Sequence, residues 1–298
     1  MMMKLPVIGM IGLGAMGRPI ALRLQAAGYP LTLYARRAEA FEEELKPLVE
    51  AGAKIAATPA GMAAEADIIL LNVMAGDDVR SVMTGGVHSV LAGAQPGLII
   101  TDHSTIDPVT AREVSAAATA TGAHYIDAPV SGGAIGAEAG TLVTMMGGDR
   151  GAVDRLIPVL ENYTSRQLHL GKSGQGSIAK LCNQIAQVIT IQGVAEAMAF
   201  ARSMGGDADA VRDVMLSGFA SSRMLELQGP RMTASNYEPG METRLLEKDS
   251  RIALTAALAE GLDLPALELT HDRLVTACGN GWDKKDVAIL YELMTRKK

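Results

Sequence analysis

Val7-Ile8-Gly9-Met10-Ile11-Gly12-Leu13-Gly14-Ala15-Met16-Gly17 decides the architecture of this chain. The run Val7–Ile11 reads as a buried strand, and Gly12, Gly14 and Gly17 follow in G-x-G-x-x-G spacing before an amphipathic helix that ends at Gly28. Gly12 permits the tight turn, Gly14 lets a pyrophosphate approach the backbone, and Gly17 lets the helix pack on the strand. The helix N-terminus then faces the phosphate charge. A second strand at Leu31–Ala35 completes the βαβ context that a purely structural glycine turn would not require.

Just past that strand, where such folds hold an acid for the ribose hydroxyls, the chain reads Ala35-Arg36-Arg37. Two guanidinium groups suit a 2′-phosphate, so NADP(H) is expected in preference to NAD(H). The alternative is a solvated loop pair.

Strand-like runs recur at Asp67–Val73, Leu98–Asp102, His124–Asp127 and Leu142–Gly147, with helical periods between them. This alternation predicts parallel βαβ units in an N-terminal Rossmann doubly wound sheet covered on both faces. Beyond Gly171 the β signal largely disappears, and helices are expected over Ser177–Met204, Ala208–Leu216, Glu247–Glu260, Pro265–Cys278 and Asp286–Arg296. The expected fold class is therefore α/β: a dinucleotide-binding domain over residues 1–170, then an all-α substrate and oligomerisation domain over residues 171–298. A helix of about 28 residues, ~42 Å long, joins them and is stopped by Gly205-Gly206.

Ser104 and Thr105 lie in Asp102-His103-Ser104-Thr105, after a strand and before a helix with Asp107 as N-cap and Pro108 at its first position. With Val73 and Met74, at the end of the preceding strand, they fall on the carboxyl edge where open α/β sheets bind ligands, and all four are assigned to the cofactor. Taken alone, the two hydroxyls could equally serve a turn. In Asp127-Ala128-Pro129-Val130-Ser131-Gly132-Gly133, Ser131 and the amides of Gly132 and Gly133 converge as a nest for a carboxylate.

The glycine-rich loop Gly171-Lys172-Ser173-Gly174-Gln175-Gly176 feeds a helix whose polar residues Lys180, Asn183, Gln184 and Gln187 share one face. Ile178, Leu181, Ile185, Val188 and Ile189 fill the others. Burying an ammonium is costly without compensation, so this stripe either reaches solvent or lines a cleft that holds a polar ligand. A single helical lysine usually snorkels, but the neighbouring amides favour the cleft for Lys180. Lys248-Asp249 reads equally as a helix-surface pair or as part of the cleft.

Composition bounds the rest. A net charge of -6 without a Lys/Arg cluster, and one Trp, six Tyr and three Phe in 298 residues, give no basis for a nucleic-acid or anionic-membrane partner. Cys182 and Cys278 lie far apart and mid-helix by pattern and give no disulfide framework, which fits a reducing, cytoplasmic setting. Five histidines without paired spacing predict no metal site. Met1-Met2-Met3-Lys4 leads into a strand without a signal-length apolar region, and polar residues interrupt any membrane-length run in the long helix.

The glycine fingerprint, Asp102-His103-Ser104-Thr105, Ala128-Pro129-Val130-Ser131-Gly132-Gly133, Gly171–Gly176 leading to Lys180-Leu181-Cys182-Asn183-Gln184, and Lys248-Asp249 occur in one order over almost the whole chain. Together they resemble the β-hydroxyacid dehydrogenase family, which includes 3-hydroxyisobutyrate dehydrogenases and 2-hydroxy-3-oxopropionate (tartronate semialdehyde) reductases. The resemblance implies Lys180 as the catalytic residue, Ser131 and Asn183 as substrate-holding residues, Lys248 near the cofactor, and a homodimer or homotetramer. Gln184 stands where many members have a second Asn, which looks more like the tartronate semialdehyde enzymes. Met241 stands where a Phe is common.

The expected reaction is hydride transfer between NADP(H) and a short 3-oxo acid, with Lys180 donating a proton in reduction. Ser131, Gly132 and Gly133 grip the carboxylate, Asn183 positions the reacting oxygen, and Gln184 beside it is counted among the substrate-binding residues. Related substrates to weigh are 3-hydroxyisobutyrate, 4-hydroxybutyrate, threonate and sulfolactaldehyde. A non-catalytic nucleotide-binding module is the alternative of another class.

Overall fold

The computed structural model describes residues 5–295. Met1–Lys4, the chain start considered above, and Arg296, the expected end of the last helix, lie outside the described residues. The chain forms two compact units, Met1–Lys180 and Leu181–Lys298.

The first unit is built on a sheet of strands β1 (Ile8–Ile11), β2 (Leu31–Tyr34), β3 (Lys54–Ile55), β4 (Ile68–Leu71), β5 (Ile99–Asp102), β6 (His124–Asp127), β7 (Val130–Ser131), β8 (Leu142–Gly147) and β9 (Thr164–Gly171). Their order is β3-β2-β1-β4-β5-β6-β8-β7, with β9 also paired to β8. From β3 to β6 every pairing is parallel, with Ile8 opposite Leu31 on one side and Ile68 on the other. Strand order reverses between β1 and β4, and that switch point opens a crevice at the carboxyl ends of the strands. The apolar runs are continuous because both faces are covered. Ile8, Met10, Ile68 and Leu70 join one core, while Ile11, Ile69, Leu71 and Ile100 join another.

Three expectations about this unit require correction. The sheet is not wholly parallel, since β8 runs antiparallel to β6 and β7. A two-residue connection cannot carry a parallel crossover, so Ala128-Pro129 leads instead into β7 and its antiparallel pairing with β8. Strand β9 is an addition to the expected set, because Thr164-Ser165-Arg166-Gln167 is polar and its middle residues are exposed. Third, the glycine pair after Ser131 is more than a turn: Gly133 begins a short helix, Gly133–Ala139.

The long helix runs Gln175–Ser203, 29 residues or ~44 Å. It ends as Gly205 takes a φ of 75° and the Gly206 amide reaches back to the Ala201 carbonyl at 2.9 Å. In the second unit its buried residues Leu181, Val188, Ile191, Ala195 and Met198 share a core with Leu246, Leu267, Leu274 and Tyr291.

Around that core lie the helices Ala208–Ser217, Arg223–Thr233, Thr243–Ala259 and Pro265–Ala277. The helix Arg223–Thr233 is a further addition to the expected set, and it carries Gly229 and Pro230 within it. The helix expected from Asp286 is instead a 3-10 turn over Val287–Tyr291, with Asp286 as its N-cap accepting from the Ala288 amide, followed by the short helix Glu292–Thr295. No helix among the described residues is long and apolar enough to cross a membrane.

Candidate active site

The glycine loop closes as the spacing requires. A Cβ on Gly12, whose φ is +89°, would lie 2.0 Å from the Asn72 carbonyl oxygen, and one on Gly17 would lie 2.0 Å from the Gly12 carbonyl oxygen. Gly14 differs, because a Cβ there would meet nothing within 4 Å. Its lack of a side chain serves no internal packing and leaves room for a group from outside, the arrangement that a dinucleotide pyrophosphate needs. Leu13 and Met16 are half-buried against the sheet core, and Ala15 is exposed.

Beside this loop, the Val73 amide donates to Ser104 Oγ at 2.9 Å, and the Ser104 amide donates to Asp102 Oδ1 at 2.8 Å. Ser104 is buried and ties the ends of β4 and β5 together, whereas Met74 is exposed and Thr105 half-buried. Asp102 also accepts from the Tyr125 hydroxyl at 2.6 Å. Burial raises its carboxyl to about 6 against the opposing pull of those hydrogen bonds. Next to it, His103 bonds through Nδ1 to the Ala128 carbonyl at 2.6 Å and through Nε2 to the Tyr163 hydroxyl at 2.9 Å, and burial lowers its pKa to about 4.

The two arginines past β2 part company. Arg37 is clamped by Glu43 at 2.7 Å and Glu44 at 2.5 Å, and its pKa is raised by those carboxylates. Arg36 keeps a side chain 81% exposed, 3.6 Å from Asp78.

At the far end of the sheet, Asp127 organises the entry to the long helix. Its Oδ1 accepts the Gly174 amide and its Oδ2 the Ser177 amide, each at 2.8 Å. These are donors that a helix N-terminus cannot satisfy internally. A Cβ on Gly176 would sit 2.3 Å from the Asp127 carbonyl oxygen and 2.4 Å from that of Met145, so the helix start rests directly on the strand backbones. A turn later, Lys180 Nζ donates to the Val130 carbonyl at 2.9 Å. Lys180 is thus buried and held on the residue that precedes the Ser131-Gly132-Gly133 turn. Gly132 and Gly133 are both exposed and take φ values of 132° and 63°.

Farther along the helix the polar stripe is tied together by hydrogen bonds, with Gln184 buried and Asn183 and Gln187 half-buried. Gln184 Nε2 donates to Asp249 Oδ2 at 2.6 Å, Asn183 Nδ2 donates to Gln184 Oε1 at 2.9 Å and to Gln187 Oε1 at 3.4 Å, and Gln187 Nε2 lies 3.0 Å from Met241 Sδ. Lys248 forms an ion pair with Asp249 at 2.9 Å, the two side chains 15% and 8% exposed, which removes the helix-surface reading of that pair. Ile178, expected among the packed apolar residues, is 37% exposed instead.

The partners of two organising residues escape sequence reasoning. Asp127 and Asp249 each act on a group 47 or more positions away. A local hint exists for the first: Gly174 precedes the helix where a capping side chain would ordinarily stand, so a cap has to come from elsewhere.

A dinucleotide-fitting crevice and a buried lysine beside a serine-glycine turn define a nicotinamide-dependent oxidoreductase. Residues 7–171 match the family model described as the NAD binding domain of 6-phosphogluconate dehydrogenase, and residues 174–294 match the NAD-binding domain of NADP-dependent 3-hydroxyisobutyrate dehydrogenase. The chain is 35% identical to the 2-hydroxy-3-oxopropionate reductase of Escherichia coli, over 98% of this chain and 99% of that one. Among solved structures it resembles the 3-hydroxyisobutyrate dehydrogenase of Mycobacterium tuberculosis described with L-serine, with a TM-score of 0.90 at 29% identity over 98% of this chain and 100% of that one. It also resembles Psf3 in complex with NADP+ and 2-OPP, with a TM-score of 0.87 at 26% identity over 97% and 100% of the two chains. The chain belongs to the β-hydroxyacid dehydrogenase family and is an NAD(P)-dependent oxidoreductase.

Proposed function

We propose that this enzyme is an NADP(H)-dependent reductase of 2-hydroxy-3-oxopropionate, tartronate semialdehyde. The observation that carries the reading is the hydrogen bond from Lys180 Nζ to the Val130 carbonyl, which stations a buried ammonium beside the Ser131-Gly132-Gly133 turn. A carboxylate received by Ser131 and the two glycine amides would leave the substrate's carbonyl within reach of that ammonium. Lys180 then donates the proton to the oxygen on which negative charge develops, and takes it back in the oxidative direction.

The nicotinamide, when bound, supplies or accepts the hydride. Gly12, Leu13, Gly14, Ala15, Met16 and Gly17 would hold its pyrophosphate, with Val73, Met74, Ser104 and Thr105 at the same sheet edge and Lys248 assigned to the cofactor by family resemblance. Arg36 would be the guanidinium that meets a 2′-phosphate, because Arg37 is engaged by two carboxylates. Asn183 follows Lys180 by three positions on one helical face and is the substrate-holding residue that the family resemblance assigns. The choice of substrate is supported by Gln184 and by the similarity to the 2-hydroxy-3-oxopropionate reductase of Escherichia coli.

The test is a spectrophotometric panel of tartronate, methylmalonate and succinate semialdehydes with NADPH and NADH. Highest kcat/KM for tartronate semialdehyde with NADPH is expected. Preference for another acid overturns the substrate, and preference for NADH overturns the role given to Arg36.

A further inference from the structure

We propose that Asp249 is a positioning residue that fixes the direction of hydrogen bonding along the helix, so that Asn183 offers the substrate its carbonyl oxygen and not its NH2 group. The inference rests on the reading that Asn183 touches substrate, and it defines the substrate group that Asn183 recognises.

The sense of the chain follows from donor chemistry. A carboxylate only accepts, so Asp249 Oδ2 at 2.6 Å obliges Gln184 to turn its Nε2 toward it. Gln184 Oε1 therefore faces the other way and must meet a donor, which is Asn183 Nδ2 at 2.9 Å. The second hydrogen of Asn183 Nδ2 is directed to Gln187 Oε1 at 3.4 Å, and Gln187 keeps that orientation by aiming its own NH2 at Met241 Sδ. Both hydrogens of the Asn183 amide are thus committed within the protein. What Asn183 has left is Oδ1, an acceptor.

An acceptor at this position pairs with a donor on the ligand. Carboxylate and aldehyde oxygens cannot supply one, but a hydroxyl can. Asn183 is accordingly assigned to the hydroxyl of a hydroxylated oxo acid, and does not donate to the reacting aldehyde oxygen, a task left to Lys180. Tartronate semialdehyde and methylmalonate semialdehyde differ at one position, where the first has a hydroxyl and the second a methyl. A site built to bond a hydroxyl discriminates against an analogue lacking it, because the analogue displaces water from the acceptor without pairing with it.

Lys248 makes the direction testable. Its ammonium only donates and pairs with Asp249 Oδ1 at 2.9 Å. In Asp249→Asn the single remaining oxygen is drawn to Lys248, so the new NH2 faces residue 184. Gln184 must then flip, and Asn183 with it. Adding Gln184→Glu restores the original sense: a carboxylate at position 184 cannot donate, so the NH2 groups of residues 249 and 183 both find acceptors there.

The experiment compares kcat/KM for the two semialdehydes with NADPH in the wild type, Asp249→Asn and the Asp249→Asn/Gln184→Glu double variant, with Tm and NADPH Kd measured for each. The wild type is expected to favour the hydroxylated acid by at least about tenfold. Asp249→Asn should erase most of that ratio with Kd for NADPH unchanged, and the double variant should recover it. Should Asp249→Asn fail to fold, Asn183→Leu answers the same question: it should lose the hydroxylated acid selectively and retain the methylated one. A ratio unchanged in Asp249→Asn, or equal losses on both acids in Asn183→Leu, overturns the inference while leaving the substrate reading in place. Absence of wild-type turnover of tartronate semialdehyde overturns both.

Discussion

Asp127 accepts the amide of Ser177 at 2.8 Å, and through that bond a strand end of the sheet fixes the start of the helix that carries Lys180. The same carboxylate accepts the Gly174 amide, so two buried helix-terminal donors depend on one side chain. Asp127→Ala should cost about 2–4 kcal/mol of stability, read by urea denaturation, since two buried donors lose their partner. Asp127→Asn, which keeps one acceptor, should lose less. Both should lower kcat, because Lys180 lies one turn beyond the bonds they loosen.

Lys180→Ala should reduce kcat by about 10²–10⁴-fold, the span for removing a positioned acid. NADPH affinity, followed by nucleotide fluorescence, should stay near the wild-type value. Retained turnover would remove Lys180 from the chemistry.

Two glycine substitutions should separate folding from binding. Gly176→Ala forces a methyl against two strand carbonyls at 2.3 and 2.4 Å and should destabilise by about 1–3 kcal/mol or more. Gly14→Val points into open space and should leave Tm unchanged while raising the Kd for dinucleotide. If Gly14→Val instead lowers Tm and spares Kd, the crevice is not where the pyrophosphate lies.

The two adjacent arginines should behave differently. Arg36→Ala should lower the NADPH over NADH preference by about tenfold, as expected for loss of one charge-assisted phosphate contact. Arg37→Ala should change that ratio little, since Glu43 and Glu44 already occupy its guanidinium. The ratio of kcat/KM for the two cofactors is the measurement.

Buried titrating neighbours predict an unusual pH profile. His103 falls from an ordinary 6.5 to about 4, so below pH 6.5 the unfolded chain binds the proton first, and stability is lost as pH falls toward 4. Asp102 rises from 3.8 to about 6, so between those values the folded chain holds the extra proton, and stability is gained as pH falls. The two slopes oppose each other between about pH 4 and 6. Asp102→Asn should expose the histidine slope, worth up to about 3 kcal/mol across the window. Urea midpoints of both proteins from pH 4 to 7 measure the difference, and parallel curves would remove Asp102 from the balance.

Elements with strong local signals were legible. β1, β2 and β5 appear as apolar runs trimmed by one residue and β4 by three, and β6 and β8 have the expected bounds. Elements set by their neighbours were not. β9 has little apolar pattern because Ser165, Arg166 and Leu170 face solvent and no residue after Thr164 is fully buried, and it exists by pairing along β8. Arg223–Thr233 is interrupted in sequence by Gly229-Pro230, yet Leu225 and Met232 are buried in the second core and hold the helix together.

By itself the sequence determined the βαβ fingerprint, the change from α/β to helical structure, and a lysine and amides on one helical face. Each of these is encoded by periodicity or by a glycine that no other residue could replace nearby. Only the tertiary structure decided what those polar groups face. Lys180 meets Val130 across 50 positions, and Gln184 meets Asp249 across 65. Helical spacing aligns side chains without naming their partners, and the sense of a hydrogen-bonded chain depends on the acceptor at its end, which folding alone brings there.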